Sequence, residues 1–339
     1  MINLISDTVT KPTPAMLAAM MSAEVGDDVF REDPTVNALE AKAATLFGKA
    51  AALFCPSGTM TNQIAIQGHT KALDEMICDE YSHVYQYEGG GYSFNARVAV
   101  NLIKGQHGKI TASQIEAAIK PLYDWLPESK LVVLENTCNK GGGSYYQLSE
   151  IAPIRDLCKE RGLRLHLDGA RLFNALVETQ ETTLAYGAMF DSISICLSKG
   201  LGAPIGSLLI GDAEFIRQAR RLRKVMGGGM RQAGFLAAAG IYALDHHVDR
   251  LKEDNDHAKR LGEKLASLSY VENVRPVKTN IVIFDVATSM TAASFLEKLA
   301  AHGIQAAPFG PQTVRFVTHL DFTPAMLEQV IEILPSLGN

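Results

Sequence analysis

The chain has 339 residues, of which 47% are apolar and 20% charged, a composition that excludes a mainly disordered protein. It is long enough for one large domain with a smaller one beside it, or for two domains of ordinary size. Its 32 Lys and Arg against 37 Asp and Glu give a net charge of −5, which disfavours a general binder of nucleic acid or acidic membranes.

Short apolar runs alternate with segments of helical periodicity, which is typical of an α/β fold with a mostly parallel sheet. Most of the runs are too apolar to be half exposed, so we expect a seven-stranded sheet between helices. The predicted strands are Ala51–Phe54, Glu75–Cys78, Ala99–Ile103, Leu131–Glu135, Leu163–Leu167, Ser192–Leu197 and Ser207–Ile210.

Polar residues followed by proline or by a capping partner predict where several helices begin. These signals are Thr13-Pro14, Asp33-Pro34, Thr111 with Gln114, and Thr323-Pro324.

The pattern of polar and apolar residues changes near Asp245. A long polar helix is followed by predicted strands at Asn280–Val286 and Val314–Thr318, with one helix after Thr291 and another at the end. This pattern predicts a large domain over residues 1–245 and a smaller C-terminal α/β domain over residues 246–339.

No apolar run approaches the roughly 20 residues that span a bilayer, and the N-terminal segment lacks the features of a secretory signal. We therefore expect a cytoplasmic protein. The cysteines are odd in number and form no CxxC pair, so we expect reduced thiols and no metal site. They are Cys55, Cys78, Cys138, Cys158 and Cys196.

Two residues at strand ends carry the strongest chemical signal. Asp168 ends one apolar strand and Lys199 follows another, so both belong to the sheet edge where ligands bind in open parallel sheets. A partly buried lysine amine can bond to a carbonyl cofactor, and a nearby aspartate can hold the protonated ring nitrogen of pyridoxal phosphate. Each residue alone would more often be a loop or turn residue.

The triplet Ser57-Gly58-Thr59 links an apolar strand to the start of a helix. It would present backbone N–H groups and hydroxyls to a phosphate, although such triplets also cap many helices. Neither a Walker loop nor a GxGxxG pattern is present at this point, which disfavours nucleoside triphosphates and NAD.

Three further residues could reach the same crevice. His83 could stack on a cofactor ring or move a proton near neutral pH. Arg171 and Arg315 could each bind a carboxylate through two guanidinium nitrogens. Taken singly, each would be a surface residue.

Together these segments resemble the L-threonine aldolases, which are fold-type I pyridoxal phosphate enzymes related to the β-eliminating lyases. The resemblance covers essentially the whole chain. It rests on the segments SDTVTKP, VGDDVF, EDPTVNALE, PSGTMTN, SHVYQYEGGG, LHLDGARLFNA, SICLSKGLGAPIGSLL, GGGMRQAG and VRFVTHLD.

The resemblance implies the residues that hold the cofactor. Lys199 would bond to it, Asp168 would pair with its ring nitrogen, and His83 would stack on its ring. Gly58 and Thr59 would hold its phosphate.

The resemblance also implies residues for the substrate and for a subunit boundary. Ser6, Arg171 and Arg315 would orient the substrate carboxylate, and Arg171 would lie near the phenolic oxygen of the cofactor. Lys224 and Arg231 would form a basic pair at the boundary between subunits and would help to bind the cofactor there.

The implied reaction is cleavage of L-threonine or L-allo-threonine to glycine and acetaldehyde, in a homotetramer with active sites at a dimer interface. His83, or a water that it orders, would take the β-hydroxyl proton. Alternatives are a phenylserine-type substrate, β-elimination, transamination, a non-catalytic cofactor-binding protein, and an aldolase without cofactor.

The sequence departs from the family pattern at two places. Relatives commonly have a histidine about ten residues before the strand that ends in the sequence LEN. In this chain either Trp125 or Asp124 occupies that position, or neither residue enters the site. This departure leaves open the β-hydroxyl base and the preferred β-substituent. Phe30 stands where relatives often have tyrosine.

Overall fold

The computed structural model describes residues 1–338, in which strands form sheets of two, four and seven members. The strands are β1 (Ile2–Asn3), β2 (Ala51–Cys55), β3 (Asp74–Asp79), β4 (Ala99–Ile103), β5 (Glu128–Glu135), β6 (Arg164–Asp168), β7 (Ser192–Cys196), β8 (Ser207–Gly211), β9 (Val271–Val274), β10 (Ile281–Val286), β11 (Ile304–Gln305), β12 (Ala307–Pro308) and β13 (Thr313–Val317).

Helices connect and cover these strands. They are α1 (Pro14–Met21), α2 (Pro34–Leu46), α3 (Gly58–His69), α4 (His83–Gln86), α5 (Ala112–Ala118), α6 (Leu148–Arg161), α7 (Leu172–Thr179), α8 (Thr183–Met189), α9 (Ala213–Val225), α10 (Gly234–His246), α11 (Leu251–Ala266), α12 (Ala292–Ala301) and α13 (Pro324–Ile333).

The seven-stranded sheet has the order β2-β8-β7-β6-β5-β3-β4. Its strands are parallel except β8, which runs antiparallel to both β2 and β7. The prediction of a mostly parallel sheet between helices is confirmed, and the largest shift of a strand end is at β5, which begins at Glu128 rather than at Leu131.

The predicted helix starts are confirmed by their capping hydrogen bonds. The Thr13 hydroxyl accepts the N–H of Met16, and Asp33 accepts the N–H of Val36. Thr111 and Gln114 form the predicted capping box, and Thr323 caps α13. Local sequence therefore determines where these helices begin.

A second core lies around the antiparallel sheet β12-β13-β10-β9. The N-terminal segment joins it, because β1 pairs with β11 and both Ile2 and Leu4 are buried in this cluster. Leu251, at the start of α11, is buried in the core around the large sheet instead. The division at residue 245 stays a prediction.

The five cysteines are buried and have free thiols, as predicted. Among residues 1–338, no helix combines the length and the apolar character needed to cross a membrane.

Candidate active site

The carboxyl ends of β6 and β7 lie side by side and place Asp168 and Lys199 at the same edge of the sheet. Asp168 pairs in register with Ser194 of β7, and Lys199 follows the end of that strand. Lys199 is half-buried and forms no ion pair with any residue from 1 to 338. The structure thus brings a carboxylate and an amine to one edge, as their positions after apolar strands predict.

Asp168 is buried and held in a fixed orientation by neutral donors. Its Oδ2 accepts a hydrogen bond of 2.9 Å from Nδ2 of Asn62, and its Oδ1 accepts the N–H of Ala170 at 3.2 Å. The amide of Asn62 is itself oriented by His166, whose Nε2 lies 3.1 Å from Oδ1 of Asn62. Burial lowers the pKa of His166 to about 4, so this histidine is neutral.

His83 begins α4, directly beyond the end of β3, and its side chain meets two buried carboxylates. Its Nδ1 lies 3.0 Å from Oε1 of Glu88. One ring nitrogen of His83 and one carboxylate oxygen from each of Glu88 and Asp168 lie within 4.8 Å of one another. Burial alone would lower the pKa of His83, but the Glu88 hydrogen bond and nearby negative charges raise it above its ordinary value.

Glu135, the last residue of β5, joins the His83 segment to the neighbouring loop. Its two carboxylate oxygens accept the backbone N–H groups of His83 and of Asn139, each at 2.9 Å. Burial, and then the charge of Asp168, raise the pKa of Glu135 to about 7.

The amino end of α3 leaves backbone N–H groups without acceptors at the same edge. The Ser57 hydroxyl accepts the N–H of Met60, while the backbone N–H groups of Gly58 and Thr59 have no acceptor among the described residues. A Cβ on Gly58 would lie only 2.6 Å from Sγ of Cys196, so glycine allows α3 to approach the end of β7. The helix start is therefore open to an anion and lies close to the strand that leads to Lys199.

Arg171 forms a buried, two-point ion pair that the sequence analysis did not predict. Its Nε and Nη2 donate to the carboxylate of Asp7 at 2.6 and 2.7 Å, and Asn280 donates to the same carboxylate at 3.2 Å. Burial would raise the pKa of Asp7, but Arg171 lowers it to about 2, with a smaller effect of Lys199. Arg171, Asp7 and Lys199 therefore share one electrostatic environment.

Arg315 of β13 is a mostly buried cation without a carboxylate partner within the described chain. Its Nη1 donates to Oδ1 of Asn139 at 2.9 Å and its Nη2 to the backbone oxygen of Ile5 at 3.0 Å. Its Nε is buried without a partner. Burial, followed by the charge of Arg171, lowers the pKa of Arg315 to about 10. Ser6 follows Ile5 in the chain, next to the backbone oxygen that Arg315 contacts, and a guanidinium without an acidic partner suits a carboxylate ligand.

Lys224 and Arg231 lie on the surface of the single chain. Both are exposed, and Arg231 donates to Asp27 at 2.8 Å and covers the ring of Phe30. None of their contacts within residues 1–338 joins them to Lys199 or Asp168. Their role at a subunit boundary stays a prediction.

Trp125 and Asp124 lie at the edge of the sheet opposite to the crevice of the same chain. They precede the amino end of β5, whereas the crevice lies beyond its carboxyl end at Glu135. A strand of this length spans roughly 25 Å. Trp125 is 76% exposed and stacks on Tyr123. Within one chain, therefore, neither Trp125 nor Asp124 takes the place of the missing histidine.

The sequence analysis missed five residues of this site: Asp7, Asn62, Glu88, Glu135 and Asn139. A signal existed for Glu135, because an acidic residue ends its apolar strand as Asp168 ends the next one. Asp7, Asn62 and Asn139 act through contacts between distant segments, and Glu88 contacts His83 within one segment.

The donor set at this edge fits a phosphorylated carbonyl compound with a basic ring nitrogen. Lys199 offers a half-buried amine, Asp168 a buried carboxylate, and the start of α3 two unpaired N–H groups. Within the described residues, the amine has no ion-pair partner that would block it from bonding to a carbonyl.

Comparison with known proteins places this geometry in context. The family model described as beta-eliminating lyase matches residues 3–289. The low specificity L-threonine aldolase of Escherichia coli strain K12 is 43% identical over 337 residues, covering 97% of each chain. Low-specificity L-threonine aldolase 1 of Arabidopsis thaliana is 39% identical over 329 residues, covering 95% of this chain and 92% of that one.

A solved structure of threonine aldolase from Leishmania major has a TM-score of 0.87 with this chain and covers 100% of both. The two sequences are only 22% identical, so this likeness shows a shared fold and nothing further. It supports the fold class that the order of strands and helices predicts.

Proposed function

The chain belongs to the beta-eliminating lyase family, and from this premise we propose that it is a pyridoxal phosphate-dependent L-threonine aldolase. The proposed reaction cleaves the Cα–Cβ bond of L-threonine or L-allo-threonine to give glycine and acetaldehyde. The observation that carries the proposal is the convergence of Lys199, Asp168 and His83 on one sheet edge beside an open helix start.

The cofactor-binding residues follow from this arrangement. Lys199 would attach pyridoxal phosphate through its amine, Asp168 would pair with the ring nitrogen, and Gly58 and Thr59 would bind the phosphate through backbone N–H groups. When bound, this cofactor supplies an electron sink for the pair left on Cα after the bond breaks. The buried, hydrogen-bonded carboxylate of Asp168 is suited to keeping the ring nitrogen protonated.

The substrate carboxylate would bind to Arg315 and Ser6. Arg315 supports this role because its guanidinium is buried, has an unpartnered Nε and lacks an acidic partner in the described chain. Arg171 would contribute through Nη1, since Asp7 occupies Nε and Nη2. Fixing the carboxylate would set the orientation of the bonds to Cα, and that orientation would select Cα–Cβ cleavage.

His83 would take the β-hydroxyl proton, directly or through one water. Among the described residues its Nε2 has no hydrogen-bond partner, while its Nδ1 is engaged by Glu88. A base with a pKa near the working pH is the most effective at such a step.

The proposed assembly is a cytoplasmic homotetramer with active sites at a dimer interface, without nucleic-acid or membrane partners. Lys224 and Arg231 support it as exposed cations on the surface of the single chain, on either side of a glycine run that packs against α3, where a Cβ on Gly228 would lie 2.3 Å from Met60. Sedimentation of the protein with pyridoxal phosphate would test the assembly.

Identification of the products tests the proposed function. Purified protein with pyridoxal phosphate should convert L-threonine to acetaldehyde and glycine in equal amounts, without ammonia. A keto acid and ammonia would instead demonstrate elimination. Activity on L-allo-threonine in a parallel reaction would show that the chain accepts both configurations at Cβ without the histidine that relatives commonly have.

A further inference from the structure

We propose that Glu88 is a positioning residue that fixes the tautomer of His83 and leaves Nε2 as the nitrogen that accepts the substrate proton. The inference rests on the proposed function. Glu88 contacts neither substrate nor cofactor in this role and acts through the imidazole.

Glu88 is surrounded by donors. Its Oε1 lies 3.0 Å from Nδ1 of His83 and accepts Nδ2 of Asn62 at 2.8 Å, while its Oε2 accepts Nε2 of Gln63 at 2.6 Å. Its side chain is fully buried. A carboxylate can only accept, so the proton shared with His83 belongs to Nδ1. In the neutral ring, Nε2 then carries the lone pair.

The single helical turn α4 separates His83 from Glu88, and the backbone reverses directly after Glu88. Gly89 and Gly90 have φ values of +63° and +73°, in the left-handed region that glycine tolerates. A Cβ on Gly91 would lie 2.6 Å from the side chain of Gln63. The glycine run therefore lets the backbone reverse and press against α3, which supplies the two amides that hold Glu88.

The same amide of Asn62 donates to Glu88 and to Asp168. The two hydrogen bonds measure 2.8 and 2.9 Å. One neutral residue thus sets the position of the carboxylate behind His83 and of the carboxylate predicted to face the cofactor. This arrangement couples the orientation of His83 to that of Asp168.

Three acidic groups and one phenol surround His83. Glu88 belongs to its own segment, Glu135 to β5 and Asp168 to β6, and the ring of Tyr87 lies 5.5 Å from the imidazole. Glu135 receives the backbone N–H of His83 rather than its ring. Glu88 is therefore the carboxylate that both hydrogen-bonds the ring and fixes its tautomer.

The test compares Glu88→Gln with Glu80→Gln in the cofactor-loaded enzyme. Both changes remove one negative charge, but Glu80 is a half-buried residue whose side chain forms no hydrogen bond or ion pair with His83 within residues 1–338. Glu88→Gln should lower kcat/KM for L-threonine by roughly ten- to hundredfold, as expected for loss of a charge-assisted hydrogen bond. It should also move the acidic limb of the pH profile to lower pH, because loss of the carboxylate lowers the pKa of His83. Glu80→Gln should leave both unchanged.

A double-mutant cycle with His83→Asn separates positioning from a structural role. If Glu88 acts through the imidazole, Glu88→Gln should cost nothing further once His83 is replaced. An equal loss in both backgrounds would overturn the proposal. If the glutamine variant does not fold, Glu88→Asp takes its place in the cycle. Aspartate keeps the charge but is shorter, so this variant tests the contact with His83 alone.

A measurement without substrate separates this proposal from the proposed function. Titration of histidine labelled at the ring carbon, with the His83 signal assigned through His83→Asn, should show a lower His83 pKa in Glu88→Gln than in the wild type. An unchanged pKa would refute the positioning role even if the wild type cleaves threonine. A lowered pKa in a protein inactive on threonine would support positioning and reject only the proposed function.

Discussion

Replacing Asp7 with asparagine should destabilise the protein strongly, because the change leaves the guanidinium of Arg171 buried without a counter-charge. Both partners are buried, and the carboxylate receives two short hydrogen bonds from the guanidinium. Asparagine has nearly the same shape, so the perturbation is mainly the loss of charge. The same pair also connects the N-terminal segment to the end of β6.

The magnitude follows from two independent arguments. Arg171 lowers the pKa of Asp7 from 3.8 to about 2 in spite of burial, which corresponds to roughly 2 kcal/mol of proton-linked stability. Removal of one partner from a buried ion pair typically costs ~3–5 kcal/mol, since the remaining charge is left unpaired. We therefore expect a loss of about 3 kcal/mol or more at neutral pH.

The pH dependence has a definite sign. Because the pKa of Asp7 is lower in the folded state, its contribution is fully present above the unfolded value of 3.8 and is lost as the pH falls toward 2. The stability difference between wild type and Asp7→Asn should therefore be constant from about pH 5 to pH 8 and shrink below about pH 4.

Urea unfolding monitored by circular dichroism measures this difference. Asp245→Asn is the matched control, because Asp245 pairs with Lys42 at the surface, where such pairs contribute below about 1 kcal/mol. The double variant Asp7→Ala with Arg171→Met should recover much of the stability, since no charge stays buried. An Asp7→Asn midpoint equal to that of the wild type would refute the reasoning.

Three further substitutions test the assigned roles. Arg315→Ala should raise KM for L-threonine by roughly ten- to hundredfold with a smaller change in kcat, and steady-state kinetics showing the reverse split would contradict a carboxylate-binding role. Asp168→Asn should lower kcat on the order of a hundredfold or more, and unchanged turnover would reject its pairing with the ring nitrogen. Gly58→Ala should weaken pyridoxal phosphate binding in an absorbance titration, because its Cβ would lie 2.6 Å from Sγ of Cys196; unaltered affinity would show that the helix start does not hold the phosphate.

The sequence predicts the elements of this fold well where local chemistry determines them. Thr13 and Asp33 cap their helices as expected, because an N-cap needs only the next three residues. The antiparallel direction of β8 was not predicted, although a signal was present. Only ten residues separate Cys196 from Ser207, too few for the crossover that a parallel neighbour requires.

The site is predicted less completely because its supporting contacts are long-range. Asp7 and Arg171 are 164 positions apart, and Asn62 and Asp168 are 106 apart. Nothing local to Asp7 or Asn62 distinguishes either residue from an ordinary polar side chain. Asp168 and Lys199 could be predicted because each follows an apolar strand, which alone places a residue at the ligand-binding edge.

Every role proposed for the crevice depends on the bond between Lys199 and the cofactor. The most direct test is borohydride reduction of the protein with pyridoxal phosphate, followed by mass spectrometry of its peptides. The peptide containing Lys199 should carry the reduced cofactor, and the Lys199→Ala protein should carry none. A modification at another lysine with Lys199 untouched would contradict the assignment of the crevice.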